Sequence, residues 1–428
     1  MPLFTIATIV CVLIGVPIVF ALAFGPIIGF LMEGKSALLN ISLQRIFAGV
    51  NQFPLLAVPL FILAGEIMNA GNITRRLVAF SQVLVGHLRG GLAHVNILSS
   101  ILFAGLSGSA VADTSALGSM LIPAMERDGY TRVFATAITA ASSIIGPIVP
   151  PSIIMIVYAY IMNVSVGALF AAGFVPGLLM GFGLMGMTAY LAKKHNFPKR
   201  DRLPTVKEVT RATMEGFFPL LTPVIILGGI LFGVFSPTEA AVIAVVYALC
   251  LSLVTKSLNP KDLPGILLRS SSSASVILLV IGSAALFGWV LNIAGVPQQL
   301  ARGILEWAGS PIAFLLLVNL LLFVVGMFLD AGPAILILGP ILGPAMLGLG
   351  INPVHFAVVM CINLTVGLAT PPFGLVLFTA STISKLRVEV ITKAMVPFWL
   401  IHVLVVLAVT FIPAISLTLP EALGFPIK

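Results

Sequence analysis

Charge is what this sequence has least of. Only 8% of its 428 residues are Asp, Glu, Lys or Arg, against about 25% in a soluble domain. Hydrophobic types supply 59%, which excludes a water-soluble globule and points to an all-α chain crossing a bilayer many times. Acids are scarcer than bases, 14 against 22. In a soluble protein that excess would suggest nucleic acid. Here the bases cluster in short loops between apolar runs, as membrane orientation requires, so no nucleic-acid partner is expected. Cysteine is nearly absent. Cys11, Cys250 and Cys361 lie in apolar stretches, with neither metal spacing nor a disulfide framework, and read as small buried hydrophobes. The N-terminal MPLFTIATIV lacks a basic n-region and a small-residue cleavage site, so it reads as a retained first span.

A spanning helix needs about 20 apolar residues. Stretches 3–31, 51–71, 91–111, 132–163, 166–192, 217–235, 237–255, 274–294, 310–328, 354–382 and 394–418 are the main candidates. Two more, 114–125 and 332–349, are short or broken by Gly and Pro, and each follows another apolar run across a polar tip. Such pairs read as re-entrant hairpins. A Pro-Pro pair divides each of 132–163 and 354–382. The polar segment 193–215 holds seven Lys/Arg and is expected to be a cytoplasmic linker between repeats 1–192 and 216–428.

The halves align without a gap. Shifting 105–159 by 221 places it on 326–380 with 14 of 55 positions identical. Among them are Gly105/Gly326, Gly118/Gly339, Pro123-Ala124-Met125/Pro344-Ala345-Met346, Gly129/Gly350, Gly146/Gly367 and Pro150-Pro151/Pro371-Pro372. Apolar similarity alone does not place those residues in one register, so the chain is an internal duplication. Equivalent loops differ in charge. The stretch 193–211 has seven Lys/Arg while 414–428 has Lys428 alone; 385–393 has Lys385, Arg387 and Lys393 while 164–172 has none. Likewise 75–89 has Arg75, Arg76 and Arg89 where its counterpart has Arg302. Opposite bias predicts that the repeats cross the membrane in opposite directions.

Inverted repeats with broken helices mark secondary transporters, whose site lies where the breaks converge. Four breaks stand out: Gly105–Ser115, Ser142–Ser152, Gly326–Pro333 and Asn363–Pro372. Proline frees carbonyls in the preceding turn. Those carbonyls, with Ser and Thr hydroxyls, suit a hard cation such as Na⁺. The expectation is two cation sites, one per repeat, each pairing a hairpin tip with a Pro-Pro helix. Half-helix N-termini would face an anionic substrate between them. Ser109, Asp113, Thr114, Ser152, Asp330, Ala331, Gly332 and Asn363 are the candidate substrate contacts. Asp113 and Asp330 are intramembrane acids, functional by default, though Asp330 aligns with Ser109 and helix capping is an alternative role for both. Close packing and kinking would explain any one of these small residues alone.

Two other motifs carry less. Gly29–Ser36 fits the P-loop pattern but ends an apolar span with no nucleotide domain around it, so no nucleotide is expected. Gly105-Leu106-Ser107-Gly108 fits the intramembrane serine protease motif, yet Phe328 replaces the serine in the repeat and only His355 and His402 sit in apolar segments. The chain is therefore not expected to be an enzyme.

At NQFPLLAVPLFILAGEIM (51–68), GLSGSAVADTSALGSMLIPAM (105–125), GPIVPPSIIMIVYA (146–159), FSPTEAAVIAVVYAL (235–249) and GLATPPFGLVLF (367–378) the sequence resembles the large membrane subunit of tripartite ATP-independent periplasmic (TRAP) transporters. The resemblance covers almost the whole chain. It implies a scaffold and an elevator-type transport domain in the bacterial inner membrane. It further implies sodium-driven import of an organic acid such as a C4-dicarboxylate, sialic acid or another sugar acid. The implied partners are a four-helix small membrane subunit on a separate chain and a soluble periplasmic substrate-binding protein. By that resemblance one sodium site involves Gly105, Ser107, Ser109, Gly146, Val149 and Pro150, and the other Gly326, Asp330, Gly367 and Thr370. A stand-alone anion symporter of similar architecture is the alternative within transport.

Overall fold

The computed structural model describes residues 3–35, 37–199, 203–299, 303 and 310–427. Ser36, Arg302 and Lys428, which entered the motif and charge comparisons, lie outside them. The described chain is helical throughout, and eight helices are long and apolar enough to cross a membrane.

Helices α1 (Leu3–Leu13) and α2 (Ile18–Met32) form an antiparallel pair. The run 3–31 was expected as one stretch, but Gly15, at φ +85°, and Pro17 turn it back. Gly25 and Gly29 then let α1 lie directly on α2, since a Cβ on either would strike Thr8 or Phe4. Next come α3 (Ala37–Val50), α4 (Ala57–Ala70) and α5 (Ile73–Val85). Segment 75–89, grouped among the loops on its three arginines, is mostly the amphipathic α5.

The first hairpin is α6 (Gly91–Ser107) and α7 (Ala110–Arg127). The first broken helix is α8 (Arg132–Ser143) and α9 (Ile153–Met162). Helix α10 (Val166–Lys194) follows. Half of the 193–215 linker is already helix, because α11 (Val206–Leu231) starts on a Thr205/Glu208 capping box. A second box, Ser236/Glu239 with Pro237 at N1, starts α12 (Pro237–Val254). Helix α13 (Leu263–Ile293) is longer than the 274–294 expected.

The second hairpin is α14 (Pro311–Phe328) and α15 (Ala331–Gly348); the second broken helix is α16 (Pro353–Gly367) and α17 (Leu375–Ser384). Helices α18 (Val388–Phe411) and α19 (Ala414–Ala422) complete the chain. Helix α15 begins and ends 221 residues after α7 does, and α16 begins 221 after α8.

Two groups of helices result. In one, α13 lies along α2, α3 and α4, while α12 packs on α4 and α11 on α5. In the other, the hairpins and broken helices exchange partners. Arm α7 packs on α17, from the second broken helix, and arm α15 packs on α9, from the first. The two repeats are therefore interlocked through these arms.

Candidate functional site

At the first tip, α6 ends on Gly108 at φ +58°, a conformation that glycine adopts without strain, and Ser109 caps α7 by accepting from the Ala112 N–H at 3.4 Å. Ser107 donates its hydroxyl to Asp113 Oδ1 and accepts from the Ser109 N–H at 3.3 Å. Asp113 lies in the first turn of α7, where the helix dipole favours a negative charge, and its side chain is fully buried. Its second oxygen, Oδ2, has no hydrogen-bond partner among the described residues. That oxygen faces Gly146, where an added Cβ would collide with it. A buried, half-satisfied carboxylate aimed at the break in the α8–α9 helix is costly unless something positive binds there.

The break presents oxygens. Ser152 Oγ donates to the Pro147 carbonyl at 2.5 Å, accounting for one freed acceptor. Others turn toward the tip. A Cβ on Gly105 would lie 3.6 Å from the Pro150 oxygen, and one on Gly108 3.0 Å from the Pro151 oxygen. Of the residues that the resemblance grouped, the structure brings together Gly105, Ser107, Ser109, Gly146 and Pro150 and adds Asp113 to them, while the Val149 side chain packs against Gly177 of α10. Asp113, expected to touch substrate, sits inside this cluster. Thr114 returns its hydroxyl to the Ala110 carbonyl at 2.8 Å and Ser152 is buried as the cap of α9.

The second site is built differently. Gly326 and Gly367 touch backbone to backbone, since a Cβ on Gly367 would lie 2.6 Å from the Gly326 Cα. The Gly374 N–H donates to the Met327 carbonyl at 3.1 Å, tying the tip to the break. Thr370 bonds the Val366 carbonyl at 2.9 Å, and Trp399 Nε1 donates to the Ala369 carbonyl at 3.1 Å. Ala334 stands where the repeat would place Asp113's equivalent. Asp330 makes no capping bond to α15. It lines a chamber of about 320 Å³ instead, with Gly332, Pro333, Ile153 of α9 and Ile277 of α13. Ala331 is buried beside it. Asn363 does not reach that chamber: both amide hydrogens are committed, to Asn319 Oδ1 at 2.5 Å and the Val359 carbonyl at 2.8 Å.

A second chamber of about 170 Å³ adjoins the first tip, lined by Ser107, Ser109 and Ala112 against Glu66, Asn69 and Ser273. Ile153 and Ile277 line both chambers. They lie side by side between the two tips, with α13 as a common wall. Sequence reasoning missed Glu66, Asn69 and Ser273. The acid in the apolar run 51–71 was a usable signal. Ser107 donates to Asp113 and to no histidine, and His355 is bonded to Ser416 at 2.8 Å.

The family model for the DctM component of tripartite ATP-independent periplasmic transporters matches residues 5–415. The sialic acid TRAP transporter large permease protein SiaM of Vibrio cholerae is 40% identical over 95% of both chains. The C4-dicarboxylate TRAP transporter large permease protein DctM of Pseudomonas aeruginosa is 40% identical over 89% of both. Among solved structures, the YdaH transporter of Alcanivorax borkumensis superposes with a TM-score of 0.64 at 17% identity, covering 92% of this chain and 89% of that one.

Proposed function

The chain belongs to the DctM family of large TRAP transporter permeases, and from that membership we propose that it imports an organic acid anion on a sodium gradient. It is a multi-pass inner-membrane transporter subunit and not an enzyme. The specific reading is that a periplasmic binding protein delivers the anion, a small membrane subunit completes the permease, and α6–α9 with α14–α17 move as a body against α2–α4 and α11–α13.

One observation carries the sodium coupling: Asp113 Oδ2, buried and without a partner, faces the Pro-Pro break beside Ser107. Na⁺ bound there would neutralise the carboxylate and take the oxygens that the break frees. Near the other tip the N-terminus of α15 and Gly332 line the Asp330 chamber, a place for a carboxylate substrate at a helix start. Asp330 would repel that substrate unless a second cation screens it, which makes anion binding depend on sodium. The opposite charge bias of equivalent loops supports opposed repeats, with 193–215 cytoplasmic.

The test is uptake by the complete reconstituted complex with its binding protein. Uptake should follow an inward Na⁺ gradient and stop when K⁺ replaces Na⁺. Equal uptake in K⁺ would sink the coupling. Robust uptake by the isolated chain in Na⁺ would favour the stand-alone alternative.

A further inference from the structure

A third cavity, of about 400 Å³, lies between α3 and α13 on one side and α9 and α15 on the other, and shares Ile281 and Leu336 with the Asp330 chamber. Its polar lining is Arg45, Gln52, Tyr160 and Asn292. The Arg45 guanidinium sits 5.1 Å from the centre of the Trp289 ring, and Trp289 is itself braced edge-on by Phe30 at 6.3 Å. A ring holds a guanidinium in place without neutralising it. Among the described residues no carboxylate pairs with Arg45. Asn292 donates to the Gly288 carbonyl at 2.9 Å and Gln52 to the Ala48 carbonyl at 3.0 Å, so both amides are held in place.

A second arginine of this kind, Arg269, lies near the start of α13. Arg269 and Glu66 are also in contact, at 3.1 Å, and Glu66 lines the chamber at the first tip. The two pairs lie at opposite ends of α13. One arginine is bare over a ring and the other is masked by a carboxylate.

We propose that Arg45, with Gln52, Tyr160 and Asn292, forms an outer subsite for the carboxylate of an organic anion, met before the central chambers. This rests on the orientation given above, which puts the 162–166 turn and the end of α13 on the periplasmic side. A planar guanidinium recognises a carboxylate through paired donors. On the cytoplasmic side Glu66 cancels Arg269, so the released anion meets no matching trap. The difference biases loading to the outside face.

The experiment needs no knowledge of the natural substrate. Gln52→Cys is placed in a chain whose Cys11, Cys250 and Cys361 are Ala, assembled with its small subunit in right-side-out and inverted vesicles. The probes are an anionic and a cationic methanethiosulfonate of similar size. Labelling should occur from the outside, faster with the anionic reagent. Arg45→Gln should lower the anionic-to-cationic rate ratio about tenfold, and Arg45→Lys should keep most of it. An unchanged ratio in Arg45→Gln overturns the subsite. Labelling only from the inside, with the ratio still set by Arg45, overturns the orientation and not the charge site. No labelling from either face means that the cleft is covered in the complex, which also overturns the subsite. Asn292→Cys repeats the measurement from α13 if Gln52→Cys does not assemble.

Discussion

Asp113 has two oxygens with different fates. One accepts from Ser107 and the other faces a broken helix without a partner. Replacing the acid by Asn removes the charge and keeps the shape, so the carboxylate's role as cation ligand can be isolated. Asp113→Asn should weaken the apparent sodium affinity of uptake roughly tenfold or more, as expected for losing a charged contact of about 1.5–3 kcal/mol. It should also abolish the rise in melting temperature when Na⁺ replaces K⁺. A sodium response like the wild type's in both assays would remove Asp113 from the site. Gly146 tests the same point sterically. Gly146→Ala puts a methyl group against Asp113 Oδ2, an overpacking of about 1–3 kcal/mol. It should depress sodium-dependent uptake while the complex still assembles, read by gel filtration alongside transport.

Helix pairs carry the next level. Arm α7 packs on α17 and arm α15 on α9, so the tips and breaks of the two repeats are interlocked. Crosslinks inside that body should be tolerated. Gly118 and Ile383 adjoin across α7 and α17, 3.4 Å from a built Cβ to Cδ1, and a Gly118→Cys/Ile383→Cys disulfide should leave uptake near the uncrosslinked level. Gly288 of α13 and Pro340 of α15 adjoin across the two helix groups, 3.9 Å from a built Cβ to Cγ. A Gly288→Cys/Pro340→Cys disulfide should cut uptake to about a tenth or less, with recovery on reduction, if the groups must slide. Full uptake in the oxidised form would mean that they do not move relative to each other.

Across the whole molecule the governing quantity is charge placed against the membrane normal. The seven bases of 193–215 set one side. Lys199→Cys, in the cysteine-free chain, should react with an impermeant maleimide only in inverted vesicles. Reaction in right-side-out vesicles would reverse the topology and with it the assignment of the outer subsite. The same axis separates bare Arg45 from masked Arg269. Glu66→Gln should unmask Arg269 and slow anion release, seen as a lower uptake rate with little change in KM.

Much of this was present in the sequence because apolarity, repetition and glycine-proline punctuation are local properties. The spans, the 221-residue period, the two tips and the two Pro-Pro breaks follow from residue order alone, since a helix in lipid must satisfy its own backbone and can break only where it is sheltered. What residue order left open was partnership. Asp113 and Ser107 are six positions apart, but that Oδ2 meets Gly146 depends on how α7 lies against the α8–α9 break. Asn363 looked like a substrate ligand and is a helix–helix contact, because its neighbour Asn319 lies on α14. Helix α3 and the Arg45–Trp289 pair are not legible in residue order, since a 14-residue helix with mixed polarity falls short of a spanning run and the ring lies 244 positions away. The sequence by itself determined a duplicated, many-span membrane protein with broken helices at fixed places. Only the tertiary structure decided which oxygens meet, because burial and contact between distant segments arise from packing.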